Sequence, residues 1–314
     1  MNERSRYLYK ASWFGIIGNF VLAVFKISVG VISGSMAVLA DGIDSTTDVL
    51  SFVISLVAAK FVNKPPNIKY PYGYNRAETI AAKSVSFIIF FAGAQLFYST
   101  ILRIINNAEL SIPSMLAIYV TIFSIFGKAF LAFYQFKIGK KVDSKMLIAN
   151  GKNMYSDILL SCSVLVGLVF VKIFQLPVID IVIALGISFM IMKTAFDIFM
   201  QTNKELMDGV EDTTIYCKLF DAVESVEGAH NPHRVRLRKH ANMFVISLDI
   251  EVDENITIAE GHKISKAVEE KIKNNIGNIY DIMIHTEPLG NVEDEQFGLS
   301  RKIVRMDDEK NKNK

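Results

Sequence analysis

Over its first two hundred positions the chain alternates long apolar runs with short polar links. Six runs recur, at about 13–32, 35–59, 81–105, 115–136, 146–174 and 178–200. Each is close to the roughly 20 residues a helix needs to cross a bilayer. The turn SGS (33–35) and the link around Pro177 tie the first two and the last two into hairpins. The second and fifth runs carry acids and amides; the other four read as apolar scaffold. After Met200 the pattern changes. NKELMDGVEDTTIYCKLFDAVESVEGA reads as a connector and an amphipathic helix, and HRVRLRKH and MFVISLDIEVD alternate as paired strands. TIAEGHKISKAVEEKIKNNIG reads as a helix with Thr257 and Glu260 as a capping box, and IYDIMIHTEP as a third strand. The fold class is therefore an all-α, six-helix membrane domain (1–205) plus a small cytoplasmic α+β domain of αββαβ order (206–290). The charged segment 291–314 reads as a disordered tail.

Composition agrees with the membrane reading. Hydrophobic residues make up 51% of the 314, with 22 Phe and a mean hydropathy of +0.31. A net charge of +2 argues against a nucleic-acid binder. The two cysteines, Cys162 and Cys217, suggest neither a disulfide framework nor a thiolate metal site. The charged start MNERSRYLYK shows no cleavage motif and reads as the flank of an uncleaved first span. Basic residues gather on one side: Arg4, Arg6 and Lys10; Lys60, Lys64, Lys69 and Arg76; Lys137, Lys140, Lys141 and Lys145. Only Arg103 and Lys172 lie near the opposite ends, so both termini are expected in the cytoplasm, with the protein in the cell membrane.

Three acids inside the second run, Asp41, Asp44 and Asp48, demand a reason. A charge at mid-membrane costs on the order of 3 kcal/mol even on insertion scales. Asp44 and Asp48 are four apart and share a helix face. The fifth run repeats the spacing with Asn153 and Asp157 in NGKNMYSD. Two helices each presenting an oxygen pair can enclose one cation, whereas Asp41, three residues before Asp44, reads as support for the helix. Three carboxylates around one divalent ion leave a net charge near −1, and emptied they repel and are expected to bind protons.

GSMAVLADGIDSTTDVL, YPYGYNRAETIAA, NMYSD and LMDG together resemble the cation diffusion facilitator family over about residues 5–290. The resemblance implies six transmembrane helices, a cytoplasmic domain of metallochaperone (ferredoxin-like) fold, a homodimer in the bilayer, and exchange of divalent metal for protons by alternating access. It assigns the transport site to Asp44, Asp48, Asn153 and Asp157. Zinc-handling members typically place His where Asn153 stands. Imidazole suits Zn²⁺ and hard oxygen donors suit Mn²⁺, so Mn²⁺ is the expected substrate, with Fe²⁺, Co²⁺ and Zn²⁺ as competitors. No cofactor beyond the transported ion is implied. A second family site in the loop after helix two has Tyr70 and Tyr74 in place of its histidines and is expected to be absent. There Arg76 is expected to pair with Asp208 as a charge interlock of the dimer.

All five histidines lie after residue 229. By resemblance, a candidate cytoplasmic metal site comprises His233 (or His230), Asp249, His262, His285 and Glu287. Two other functions share part of this pattern. A lipid phosphotransferase also carries aspartates four apart beside DG, but none of the further Arg and acidic residues it needs follows Asp48 before Lys60. A metal sensor would keep the same ligands, and only flux separates it from a carrier. The protein is accordingly expected to be a secondary transporter and not an enzyme.

Overall fold

A computed structural model describes residues 3–304 apart from 63, 75, 106–111, 142–143, 211, 241–242 and 292–296. These residues divide into two units, 3–68 with 80–202, and 69–79 with 203–304.

The first unit is built on six long helices: α1 (Glu3–Ser33), α2 (Met36–Val62), α3 (Arg76–Ile105), α4 (Met115–Lys141), α5 (Lys145–Phe174) and α6 (Val178–Leu206). The helices outrun the apolar stretches. Backbone amides and carbonyls are satisfied most cheaply by continuing the helix into the polar flanks. Five of them are long and apolar enough to cross a membrane; α2 is the helix with the three aspartates. Phe20, Phe91, Phe126, Phe133 and Phe189 are exposed on the outside of this unit, as a surface solvated by lipid requires.

Glycines set the helix spacing where the polar residues lie. A Cβ on Gly42 would stand 2.8 Å from Ile27 Cγ1 and 2.9 Å from the Ile27 backbone nitrogen, so α1 and α2 touch there through backbone. Between α1 and α4, which run antiparallel, Gly18 takes the Leu131 side chain and Gly127 the Leu22 side chain. Gly42→Val should cost about 1–3 kcal/mol by overpacking, seen as a lowered melting temperature in detergent.

The start of α2 is held from another helix. Asp180, buried in the first turn of α6, accepts from Ser35 Oγ (2.6 Å) and from the Met36 and Ala37 amides (2.7 and 3.4 Å). It thus satisfies donors that a helix N-terminus otherwise leaves bare.

The second unit carries α7 (Thr214–Glu224), β1 (His230–His240), β2 (Met243–Val252), α8 (Ile258–Asn275) and β3 (Ile279–Pro288). The sheet order is β1-β2-β3, with β1 and β2 antiparallel and β2 and β3 parallel across α8. This is the αββαβ order expected from the alternation pattern. Leu219, Phe220, Ile246, Leu248, Ile250, Val268 and Ile272 form its core. Thr257 and Glu260 make both bonds of the capping box, at 3.3 and 2.8 Å. Residues 297–304, assigned by their polar neighbours to a disordered tail, lie on this domain instead. Leu299 bridges Val235, Val304 is buried in the core, and Arg301 pairs with Asp221 and Glu224. A few apolar side chains in a charged context were enough to dock the segment.

Candidate metal sites

In the membrane unit, α2 and α5 bring three of the four expected ligands together. Asn153 Nδ2 donates to Asp48 Oδ1 at 3.2 Å, and the Asp48 and Asp157 carboxylates both face Lys128. Asp44 lies one turn before Asp48, half-buried, within electrostatic reach of Asp157 and Lys128. Turning the Asn153 amide presents Oδ1 to a cation, which makes the donor set all oxygen.

Four spans were expected to be plain scaffold, and this is corrected at two of them. Lys26 on α1 and Lys128 on α4 are both 0% exposed. Lys26 Nζ pairs with Asp41 Oδ2 at 2.7 Å and donates to Ser161 Oγ (3.0 Å) and Ser45 Oγ (3.3 Å). Ser161 in turn donates to both Asp41 oxygens, at 3.1 and 3.0 Å. Asp41 therefore belongs to a closed structural network. Lys128 is held differently. Its Nζ lies 2.8 Å from Asp157 Oδ2 and 3.5 Å from Asp48 Oδ2. Neither contact has hydrogen-bond alignment, and these three buried atoms are without an aligned partner among the described residues.

The cytoplasmic unit has a second cluster. Strand register puts His233 opposite Asp249, Asp249 opposite His285, and Glu251 opposite both His230 and Glu287. Ligand atoms of His233, Asp249 and Glu287, all buried, lie within 4.8 Å of one another. The geometry thus favours His233 over His230. His233 Nδ1 faces the Asn231 carbonyl at 2.7 Å, which puts the proton on Nδ1, and Nε2 lies 3.3 Å from Glu287 Oε2. His285 is exposed, with Nε2 3.4 Å from Glu287 Oε1, at the edge of the cluster. His262 is not brought in. It sits exposed at the start of α8 on a cleft of about 540 Å³ that it shares with Thr286 and Glu287. Arg234 Nη1 takes Asp249 Oδ2 at 2.8 Å. Glu251, unforeseen from the sequence, borders the cluster. Burial alone would raise its pKa, but the Gly290 amide (3.0 Å), Asn231 (2.5 Å) and the field of His233 outweigh that and hold it below the usual carboxylate range.

The Arg76–Asp208 pair, expected as a charge interlock of the dimer, lies within one chain. Arg76 pairs with Asp208 and donates to the Leu206 carbonyl at 2.9 Å, capping the end of α6. Tyr70 and Tyr74 pack ring on ring, with centroids 4.6 Å apart.

Residues 12–207 match the model of the cation efflux transmembrane domain, and 212–289 that of the cation efflux protein cytoplasmic domain. The chain belongs to the cation diffusion facilitator family. It is similar to the manganese efflux system protein MneS of Bacillus subtilis, 31% identical over 87% of this chain and 93% of that one. It is also similar to MneP of the same organism, 25% identical over 91% and 98%. Among solved structures, the metal-bound C-terminal domain of the CzcD transporter from Thermotoga maritima is 35% identical. It covers 27% of this chain and all of that one, with a TM-score of 0.26. This facilitator is thus a multi-pass membrane protein that moves divalent metal cations, and not an enzyme.

The lysines that sequence reading passed over did leave a signal. In VFKISV and IFGKAF each is the lone charge in an apolar run, and an ionisable group there implies a buried partner. Lys26 is near in sequence to its partner Asp41; Lys128 is far from both of its carboxylates, and only packing reveals them.

Proposed function

We propose that this facilitator exports Mn²⁺ from the cytoplasm in exchange for protons, as a homodimer working by alternating access. The observation that carries this is the convergence of Asp48, Asn153 and Asp157 across α2 and α5, with Asp44 on the same face, into a site whose donors are all oxygen. Oxygen donors suit Mn²⁺, and imidazole, which would favour Zn²⁺, is missing from this set. The similarity to two proteins named for manganese efflux supports the same reading. The basic residues at alternate span ends support cytoplasmic termini.

Lys128 revises the charge balance. Three carboxylates and one ammonium sum to −2, which a single divalent ion cancels and two protons cancel equally. That equality is the basis proposed for the exchange. At the cytoplasmic cluster, a metal on His233, Asp249 and Glu287 would share Asp249 with Arg234, so binding there would tie the sheet to metal supply.

Asn153→His tests the choice of metal. In proteoliposomes the initial rate for Zn²⁺ relative to Mn²⁺ should rise on the order of tenfold, because an imidazole nitrogen, which suits Zn²⁺, replaces a hard oxygen. An unchanged ratio would remove the argument for Mn²⁺, and a wild type that binds metal without flux would point to a sensor.

A further inference from the structure

We propose that Lys128 is a tethered counter-cation that occupies the transport site when it is empty and is displaced by the incoming divalent ion. This deepens the transport reading above and rests on it. Two lysines, both fully buried, offer an internal comparison. Lys26 is locked, with Asp41, Ser45 and Ser161 all at bonding distance and Ser161 closing the ring. Lys128 stands at ion-pair distance from one oxygen each of Asp48 and Asp157, on different helices, without an aligned bond to either. Lys26 is thus held by an acid and two hydroxyls, whereas Lys128 is held by the two acids that a divalent ion would compete for.

Its position is the one a cation would take. Asp48 and Asp157 are half of the candidate ligand set, and Lys128 Nζ lies between their carboxylates. The ammonium cannot leave entirely, because α4 is pinned to α1 by Gly127 against Leu22 and Gly18 against Leu131. Lys128 therefore draws the two helices' acids together without metal, and opposes metal with a positive charge that never diffuses away. A facilitator must let its cargo go after each turn. With Lys128 present the loaded site is formally neutral; without it the loaded site stays at −1 and grips the ion.

The test uses the full-length protein, with Mn²⁺ binding measured by calorimetry in detergent and Mn²⁺ efflux measured in proteoliposomes. Lys128→Gln and Lys128→Met should each bind Mn²⁺ about tenfold tighter or more, as expected on removing a positive charge a few ångströms from the ion. Both should lower KM and the maximal rate together, the signature of slowed release. Lys128→Arg, which keeps the charge, should stay near the wild-type affinity. A structural role alone would lower the rate without tightening binding. Should Lys128→Gln not fold, Lys128→Met and Lys128→Arg carry the comparison. Unchanged or weaker Mn²⁺ affinity in the neutral variants, or equal tightening in Lys128→Arg, would overturn the proposal. A wild type with neither Mn²⁺ binding nor efflux would instead overturn the transport reading.

Discussion

Asp157→Ala is expected to abolish Mn²⁺ efflux. Asp157 is a buried carboxylate on α5 whose oxygen lies 2.8 Å from Lys128 and which faces Asp48 across the helix interface. Removing it takes one of the three carboxylates from the proposed site and leaves Lys128 with Asp48, at 3.5 Å. Losing a residue that merely orients a metal ligand costs about 10–100-fold, so losing a carboxylate ligand should exceed that range. The measurement is initial Mn²⁺ efflux from proteoliposomes, paired with growth of an export-deficient strain on rising manganese. Asp157→Asn keeps the shape and should be nearly as inactive, because charge and not volume holds the ion. Efflux within about tenfold of wild type in either variant would exclude Asp157 from the site.

Asp41→Ala should be the most destabilising single change in the membrane unit. It strands the Lys26 ammonium at 0% exposure with only two serine hydroxyls. Breaking a buried pair from one side costs about 3–5 kcal/mol, whereas exchanging both partners for apolar residues of similar volume is often neutral. Asp41→Ala should therefore lower the melting temperature in detergent sharply, and Lys26→Met combined with Asp41→Leu should recover most of it. A double variant as unstable as the single one would show that Asp41 acts other than through Lys26.

Much of the architecture was legible in the sequence because each of its parts obeys a local rule. Bilayer-length runs give helices, and the switch to period-two alternation at HRVRLRKH and MFVISLDIEVD gives strands. The i, i+4 spacing pairs Asp44 with Asp48 and Asn153 with Asp157, since residues four apart share a helix face. What was hidden depends on packing between distant elements. Nothing local says that Lys128 reaches Asp157, that Asp180 caps another helix, or that Arg234 takes Asp249. His262 shows the converse. The family resemblance implied a ligand there, yet the start of α8 leaves the imidazole exposed. The segment 297–304 is a similar case, because Leu299 and Val304 are too few to register against the surrounding charge.

The Asp180 cap also acts as a depth gauge. From Met36, whose amide it holds, to Asp44 is eight residues, or about 12 Å of helix at 1.5 Å per residue, with Asp48 a turn further. Against a hydrocarbon core of about 30 Å, that interval is a little under half of the thickness to be crossed. The height of these acids along α2 is therefore set relative to the first turn of α6, which holds the start of α2. Any motion that exposes the acids to one side and then the other must carry the first turns of α2 and α6 as a single piece.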